Sequence, residues 1–281
     1  MSAWKERGTP RTWWGSRPSR DHRERCQRDF MKIALVGATG FIGSKILAEA
    51  VNRGHVVTAI CRHPQNVLKH QNVQAVFGGV MDTHTLEHLF SGQAAIIHSY
   101  SPPYDTKIRA QVNDYVARLR SAGRSQMEAL ALYEPPDRAA HEADVHARIE
   151  AQSTATRSII GAAQAAGVKR ILAVGGAGTL LIDGVRNMDR AGFPVAFEGG
   201  AKSTAVVKEL LHEHPDLEWT VLCPSMLILP GQRTGNFRLG LDDLLTAADE
   251  SSHISVEDYA AAFVDEVETP KHIRRRFTVG Y

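Results

Sequence analysis

At 281 residues, 43% hydrophobic and 23% charged, the chain has the composition of a soluble globular protein with one large core. No run approaches the roughly 18 apolar residues of a membrane-spanning helix, and a net charge of +2 gives no electrostatic case for nucleic acid. Cys26, Cys61 and Cys223 are odd in number and far apart, which argues against a disulfide framework and for small buried thiols in a reducing cytoplasm.

The first thirty residues differ in kind from the rest. They hold eight basic and four acidic side chains, a surplus of +4 that leaves the remaining chain at −2. They show neither apolar periodicity nor the hydrophobic stretch of a secretory signal, and their acids argue against a mitochondrial presequence. A basic arm, disordered ahead of Met31, is expected, with Trp13 and Trp14 as the alternative anchor of a docked arm.

From Met31 onward strands and helices alternate. Lys32 to Val36 reads as a buried strand. Phe41 to Arg53 reads as a helix with Ile42, Ile46, Leu47, Ala50 and Val51 on one side. Strands follow at Val56 to Cys61 and Val73 to Phe77, then a helix near Thr83 to Phe90 and a strand at Ala94 to His98. Helical sequence fills much of 105–167, more than a simple crossover needs, so a helical insertion is expected at about 104–152. Its first helix repeats Ile108, Val112, Val116 and Leu119 at helical spacing and carries a net charge of +3 over 105–124. This insertion reads either as a packed hairpin or as a lid. Strands at Arg170 to Val174 and Trp219 to Cys223 flank a helix near Thr204 to His214. Ser255-Val256-Glu257-Asp258 resembles a capping box for a helix to about Glu268, and Phe277 to Gly280 closes as a strand. The order predicts an α/β fold, a doubly wound parallel sheet of Rossmann type, in a single domain with a small C-terminal substrate portion.

In such a sheet ligands sit at the carboxyl ends of the strands. The stretch GATGFIG, residues 37–43, stands there. Gly37 suits a sharp turn, Gly40 the approach of a pyrophosphate to the backbone, and Gly43 close packing of helix on strand. The helix start favours an anion. An NAD-preferring site places a carboxylate about 20 residues past the glycines, yet none occurs between Val51 and Phe77. Arg62 follows the second strand instead, a planar fork suited to a 2′-phosphate. The expected cofactor is NADP(H) in preference to NAD(H).

With that loop, the stretches HSYSPP (98–103), VKRILAVGGAG (168–178), PGQRTGNFRLG (230–240), ISVEDYAAAFVDEVE (254–268) and the terminal RRRFTVGY resemble the atypical short-chain dehydrogenases/reductases. They are most similar to the NADH-flavin reductase group, alongside NmrA-like and biliverdin-reductase-B-like proteins. The resemblance runs from Met31 to Tyr281, apart from the added stretch after Pro103. It implies that Gly37, Thr39, Gly40, Phe41 and Ile42 wrap the pyrophosphate and that Arg62 lies near the adenosine end. Ser99, Tyr100, Gly175 and Pro224 would line the path to the nicotinamide.

Better-known members of that superfamily pair a Ser with a Tyr and a Lys four residues apart. None of the six tyrosines has Lys at that spacing. The fifth strand ends in Gly175-Gly176-Ala177-Gly178 without a serine, and Phe197 stands where relatives often show tyrosine. Tyr104 and Ser101 are the remaining catalytic candidates. The gap suits a flavin, quinone or other conjugated acceptor, whose reduced anion is delocalised enough to take its proton from water. A non-catalytic NADP(H) sensor and a redox-neutral isomerase or cyclase are the alternatives. A small-molecule substrate and a monomer or homodimer are expected. No metal is expected either: His141 and His146, five apart, turn away from each other on a helix, His212 and His214 point apart, and His84 with His88 has no third ligand.

Overall fold

Side chains alternating along β1 (Lys32–Val36) enter two layers at once. Ile33 and Leu35 join the apolar cluster on one face of the sheet, Ala34 and Val36 that on the other. A strand covered on both faces must be apolar throughout, which is why its sequence reads as a continuous run. The structure, a computed structural model, describes residues 30–281, and Met31–Tyr281 forms one compact unit. The arm expected ahead of Met31, with Trp13, Trp14 and Cys26, lies outside the described residues.

After β1 come α1 (Phe41–Asn52), β2 (Val56–Cys61), β3 (Val73–Phe77), α2 (Thr83–Phe90) and β4 (Ala95–His98). Three helices, α3 (Thr106–Ser121), α4 (Gln126–Ala131) and α5 (Arg138–Ala165), lead to β5 (Arg170–Val174). A small hairpin of β6 (Leu181–Ile182) and β7 (Val185–Arg186) precedes α6 (Glu198–His212) and β8 (Glu218–Pro224). Then follow β9 (Leu227–Leu229), β10 (Arg238–Gly240), β11 (His253–Ser255), α7 (Val256–Glu268) and β12 (Arg275–Gly280). The main sheet has the order β10-β12-β8-β5-β4-β1-β2-β3. It is parallel except where β10 runs against β12. Helices α1 and α7 pack together on one face, and α2, α5 and α6 on the other. The chain moves outward from β1 in both directions, so the loops after β1 and β4 part and leave a crevice at the carboxyl edge.

Two expectations are corrected. Helix α6 begins at Glu198 rather than near Thr204. The pair Gly199-Gly200 has poor helix propensity, but it forms the first turn because side chains would crowd Arg148 and Tyr104 there. Helix α5 runs unbroken for 28 residues, so the stretch expected as an insertion, about 104–152, passes without a break into the crossover helix. The capping box at Ser255 is only half formed. Ser255 Oγ accepts from the Asp258 N–H at 3.0 Å, whereas the Asp258 carboxylate turns to the backbone N–H groups of Thr234 and Gly235, both at 2.8 Å.

Candidate active site

The turn after β1 is built by what its glycines lack. Gly37 has φ +89°, in the region that penalises a side chain, and a Cβ there would lie 2.5 Å from the Ser99 carbonyl oxygen. Its N–H donates to the Ile60 carbonyl at 3.1 Å, and Gly40 N–H donates to the Gly37 carbonyl at 3.0 Å. A Cβ on Gly43 would approach that same carbonyl to 2.2 Å, so α1 lies directly against the turn. Gly40 caps α1 with no side-chain hydrogen bond, and the first turn carries no acid. The positive end of the helix dipole is therefore open to an anion.

A cavity of about 500 Å³ opens over this turn. Gly37, Thr39, Gly40, Phe41 and Ile42 line it from the turn, Arg62 from the end of β2, Ser99, Tyr100 and Ser101 from beyond β4, and Gly175 from the end of β5. Ten of the twelve residues expected at the site thus meet around one space. Arg62 is exposed on its rim. Burial pushes the Tyr100 hydroxyl pKa up, against the opposing charges of Arg62 and Arg148. Gly175 is held by packing: a Cβ would come within 2.6 Å of Cys223 Sγ.

Pro224 and Tyr104 belong elsewhere. Both line a second cavity of about 330 Å³, with Phe193, Phe197, Met226 and Ile228 among its apolar walls. Ser101 and Tyr104 therefore line different spaces. Ile42 and Thr204 line both cavities. Ile42 was expected on the buried side of α1; it is only partly buried, at the place where the two cavities meet. The Thr204 hydroxyl donates to the Gly200 carbonyl at 2.9 Å and is occupied by its own helix. Phe193 and Met226 carried no recognisable signal in the sequence. Gly78 and Val80, which line the larger cavity, had one: Gly78-Gly79 ends a strand on the same carboxyl edge.

Behind the site, His98 at the end of β4 is buried. Its Nε2 lies 3.1 Å from Thr156 Oγ1, and burial lowers its pKa to about 4, which leaves it neutral near pH 7. The loop after β9 is tied down by Arg233, whose Nε and Nη2 grip the buried Glu49 carboxylate of α1 at 2.8 and 2.7 Å. Burial opposes the charge on Glu49, but Arg233 and Arg53 outweigh it and keep its pKa low.

Among the described residues there is no group of three or more His, Cys, Asp and Glu placed to hold a metal ion. No described helix is long and apolar enough to cross a membrane. The donor set suits a dinucleotide: a side-chain-free cradle under a helix start for a pyrophosphate, and a rim arginine beyond the second strand.

Residues 37–270 match the family described as NAD(P)H-binding. A solved structure from Burkholderia pseudomallei, named as a candidate exported protein, is 34% identical with a TM-score of 0.68, covering 90% of this chain and 100% of its own. A candidate epimerase from Bacteroides thetaiotaomicron is 32% identical with a TM-score of 0.70, covering 90% and 98%. A candidate NADH-flavin reductase from Streptococcus pneumoniae TIGR4 is 27% identical with a TM-score of 0.63, covering 89% and 99%. These relatives share the fold along nearly the whole of their length, and two of them carry names from different reaction classes, an epimerase and a reductase. The glycine cradle, the crevice at the switch of strand order and the match across most of the chain lead to one conclusion: the protein belongs to the NAD(P)H-binding family.

Proposed function

We propose that the protein is an NADPH-dependent oxidoreductase that reduces a flat conjugated acceptor such as a flavin or quinone. The observation that carries this reading is the pair of abutting cavities with a shared wall at Ile42 and Thr204. One has the lining of a dinucleotide site, and the other is an apolar slot beside it. In this reading Gly37, Thr39, Gly40, Phe41 and Ile42 hold the pyrophosphate, Arg62 the 2′-phosphate, and Ser99, Tyr100 and Gly175 the nicotinamide end. Pro224 and Tyr104 line the acceptor slot, and Ser101 stands at the rim. The reduced nicotinamide, when bound, supplies a hydride; the chain's part is to orient both rings and keep water from between them. The name of the Streptococcus relative points the same way. We place the protein in the cytoplasm on the strength of Cys61 and Cys223, both buried and free.

Oxidation of NADPH, followed by absorbance with flavin mononucleotide, riboflavin and a series of quinones, tests the reading. Turnover with at least one acceptor, faster with NADPH than with NADH, is expected. Tight NADPH binding without turnover of any acceptor would instead support a cofactor-sensing protein.

A further inference from the structure

We propose that the start of α6, Tyr104 and Arg148 together form an anion site in the smaller cavity, which receives the charged oxygen of the acceptor as it is reduced. The identity of the acceptor rests on the reading above; the anion site stands on its own geometry.

Arg148 comes from α5 and is 2% exposed. Its Nη1 donates to the Pro102 carbonyl at 2.6 Å, and its guanidinium lies 3.6 Å from the centroid of the Tyr104 ring. Its Nε has no hydrogen-bond partner, and among the described residues no carboxylate pairs with it. A buried cation is ordinarily paired, because a carbonyl and an aromatic face recover only part of its lost hydration. Arg148 Nε lies 3.1 Å from where a Cβ on Gly199 would stand, so the unpaired edge faces the first turn of α6. That helix is 15 residues long and its cap, Phe197, makes no side-chain hydrogen bond. A short 3-10 turn, Val195–Phe197, runs into it, and the Glu198 N–H already donates to the Val195 carbonyl, so this start contributes the positive end of the helix dipole rather than a free first amide. The one acid of that turn, Glu198, is engaged with His141 at 3.4 Å and Lys202 at 3.7 Å. The buried cation and the positive end of the helix thus lie together, and no described carboxylate pairs with the arginine.

Tyr104 joins this point to the slot. Its hydroxyl lies 3.1 Å from the Cβ position of Gly200, and both residues line the cavity. A quinone-type acceptor that takes up hydride at a ring carbon shifts its carbonyl electron pair onto oxygen, while the nicotinamide is left oxidised. Water then supplies the proton. Before it does, the oxygen needs a donor, and the Tyr104 hydroxyl provides one beside the positive end of α6. Arg148 does not line the slot; it is a positioning residue, holding the Tyr104 ring by its face and adding its charge from behind.

The test uses two probes of one shape: 2-hydroxy-1,4-naphthoquinone, anionic at neutral pH, and uncharged 1,4-naphthoquinone. Each is titrated by calorimetry into the NADP⁺-loaded protein. Wild type should bind the anion about ten- to hundredfold more tightly, the range of a charge-assisted hydrogen bond. Tyr104→Phe keeps the ring against Arg148 and should lose about tenfold of that preference, with NADP⁺ affinity and melting temperature unchanged. Arg148→Gln should also lose it, and Tyr104→Phe decides the matter should that variant not fold. Equal affinity for the two probes in wild type, or a full preference retained in Tyr104→Phe, overturns the site. Absence of NADPH turnover with a retained anion preference would remove the acceptor reading and leave the anion site standing.

Discussion

Replacing Gly43 by alanine adds one methyl group at the tightest point of the cradle. That methyl would meet the Gly37 carbonyl oxygen at 2.2 Å and the Gly37 carbonyl carbon at 3.0 Å. Ordinary contact begins near 3.4 Å, so a separation of roughly 1.2 Å must be found. The carbonyl cannot swing away cheaply, because it accepts the Gly40 N–H at 3.0 Å and that bond shapes the turn. The start of α1 must lift from β1 instead. Overpacking of this kind costs about 1–3 kcal/mol, or about 2–12 °C in melting temperature for a chain of this size. The lift also moves the helix amides off the cradle, so NADPH affinity should fall at least about tenfold, equivalent to ~1.4 kcal/mol. Gly161→Ala is the control. Its methyl would find Thr83 Cγ2 at 3.6 Å, an ordinary contact, within a helix where alanine gains about 0.5–1 kcal/mol over glycine. For the control, melting temperature should stay or rise slightly and NADPH affinity should not change. A Gly43→Ala protein that melts and binds like wild type would refute the cradle geometry.

Arg62→Ala should remove most of a preference for NADPH over NADH, worth about 1.5–3 kcal/mol or ten- to hundredfold; equal binding of the two cofactors by wild type would sink the assignment. His98, held near 4 in the fold against an ordinary 6.5, favours folding while neutral. Its contribution is complete above pH 6.5 and is lost as pH falls toward 4, about 3 kcal/mol in all. His98→Gln should flatten that part of the stability profile in urea melts between pH 7.5 and 4.5, and an unchanged slope would rule it out. Asp258 is an acceptor only, taking the N–H groups of Thr234 and Gly235 and the Tyr281 hydroxyl, the last at 2.7 Å. Asp258→Asn turns a donor toward donors, so it should cost about 1–3 kcal/mol and open residues 231–237 to proteolysis; wild-type stability would contradict the assigned network.

The parallel strands were legible because two covered faces demand uninterrupted apolar runs, and β1 shows this in Ile33, Ala34, Leu35 and Val36. The cradle was legible because most of its constraints are local: Gly40 and Gly43 meet Gly37, and only Gly37 also meets the strand ends at Ile60 and Ser99. The smaller cavity was not. Its walls come from Tyr104, Phe193, Phe197, Pro224 and Met226, which no period in the chain connects. Gly199 and Gly200 were misleading, since their low helix propensity masks a start fixed by distant Arg148 and Tyr104. Arg148 itself sits in a polar helix, where nothing separates a buried arginine from a solvated one until the helix is docked.

Ile42 and Thr204 stand between two spaces rather than at the bottom of one. Cofactor and acceptor, in the arrangement proposed, do not compete for volume, so neither has to leave before the other enters. Catalysis then passes through a ternary complex, and double-reciprocal plots at several acceptor concentrations converge instead of running parallel. The common wall also links the two equilibria. Whatever factor the acceptor imposes on cofactor affinity, the cofactor imposes on the acceptor, and trimming Ile42 changes both through the same side chain.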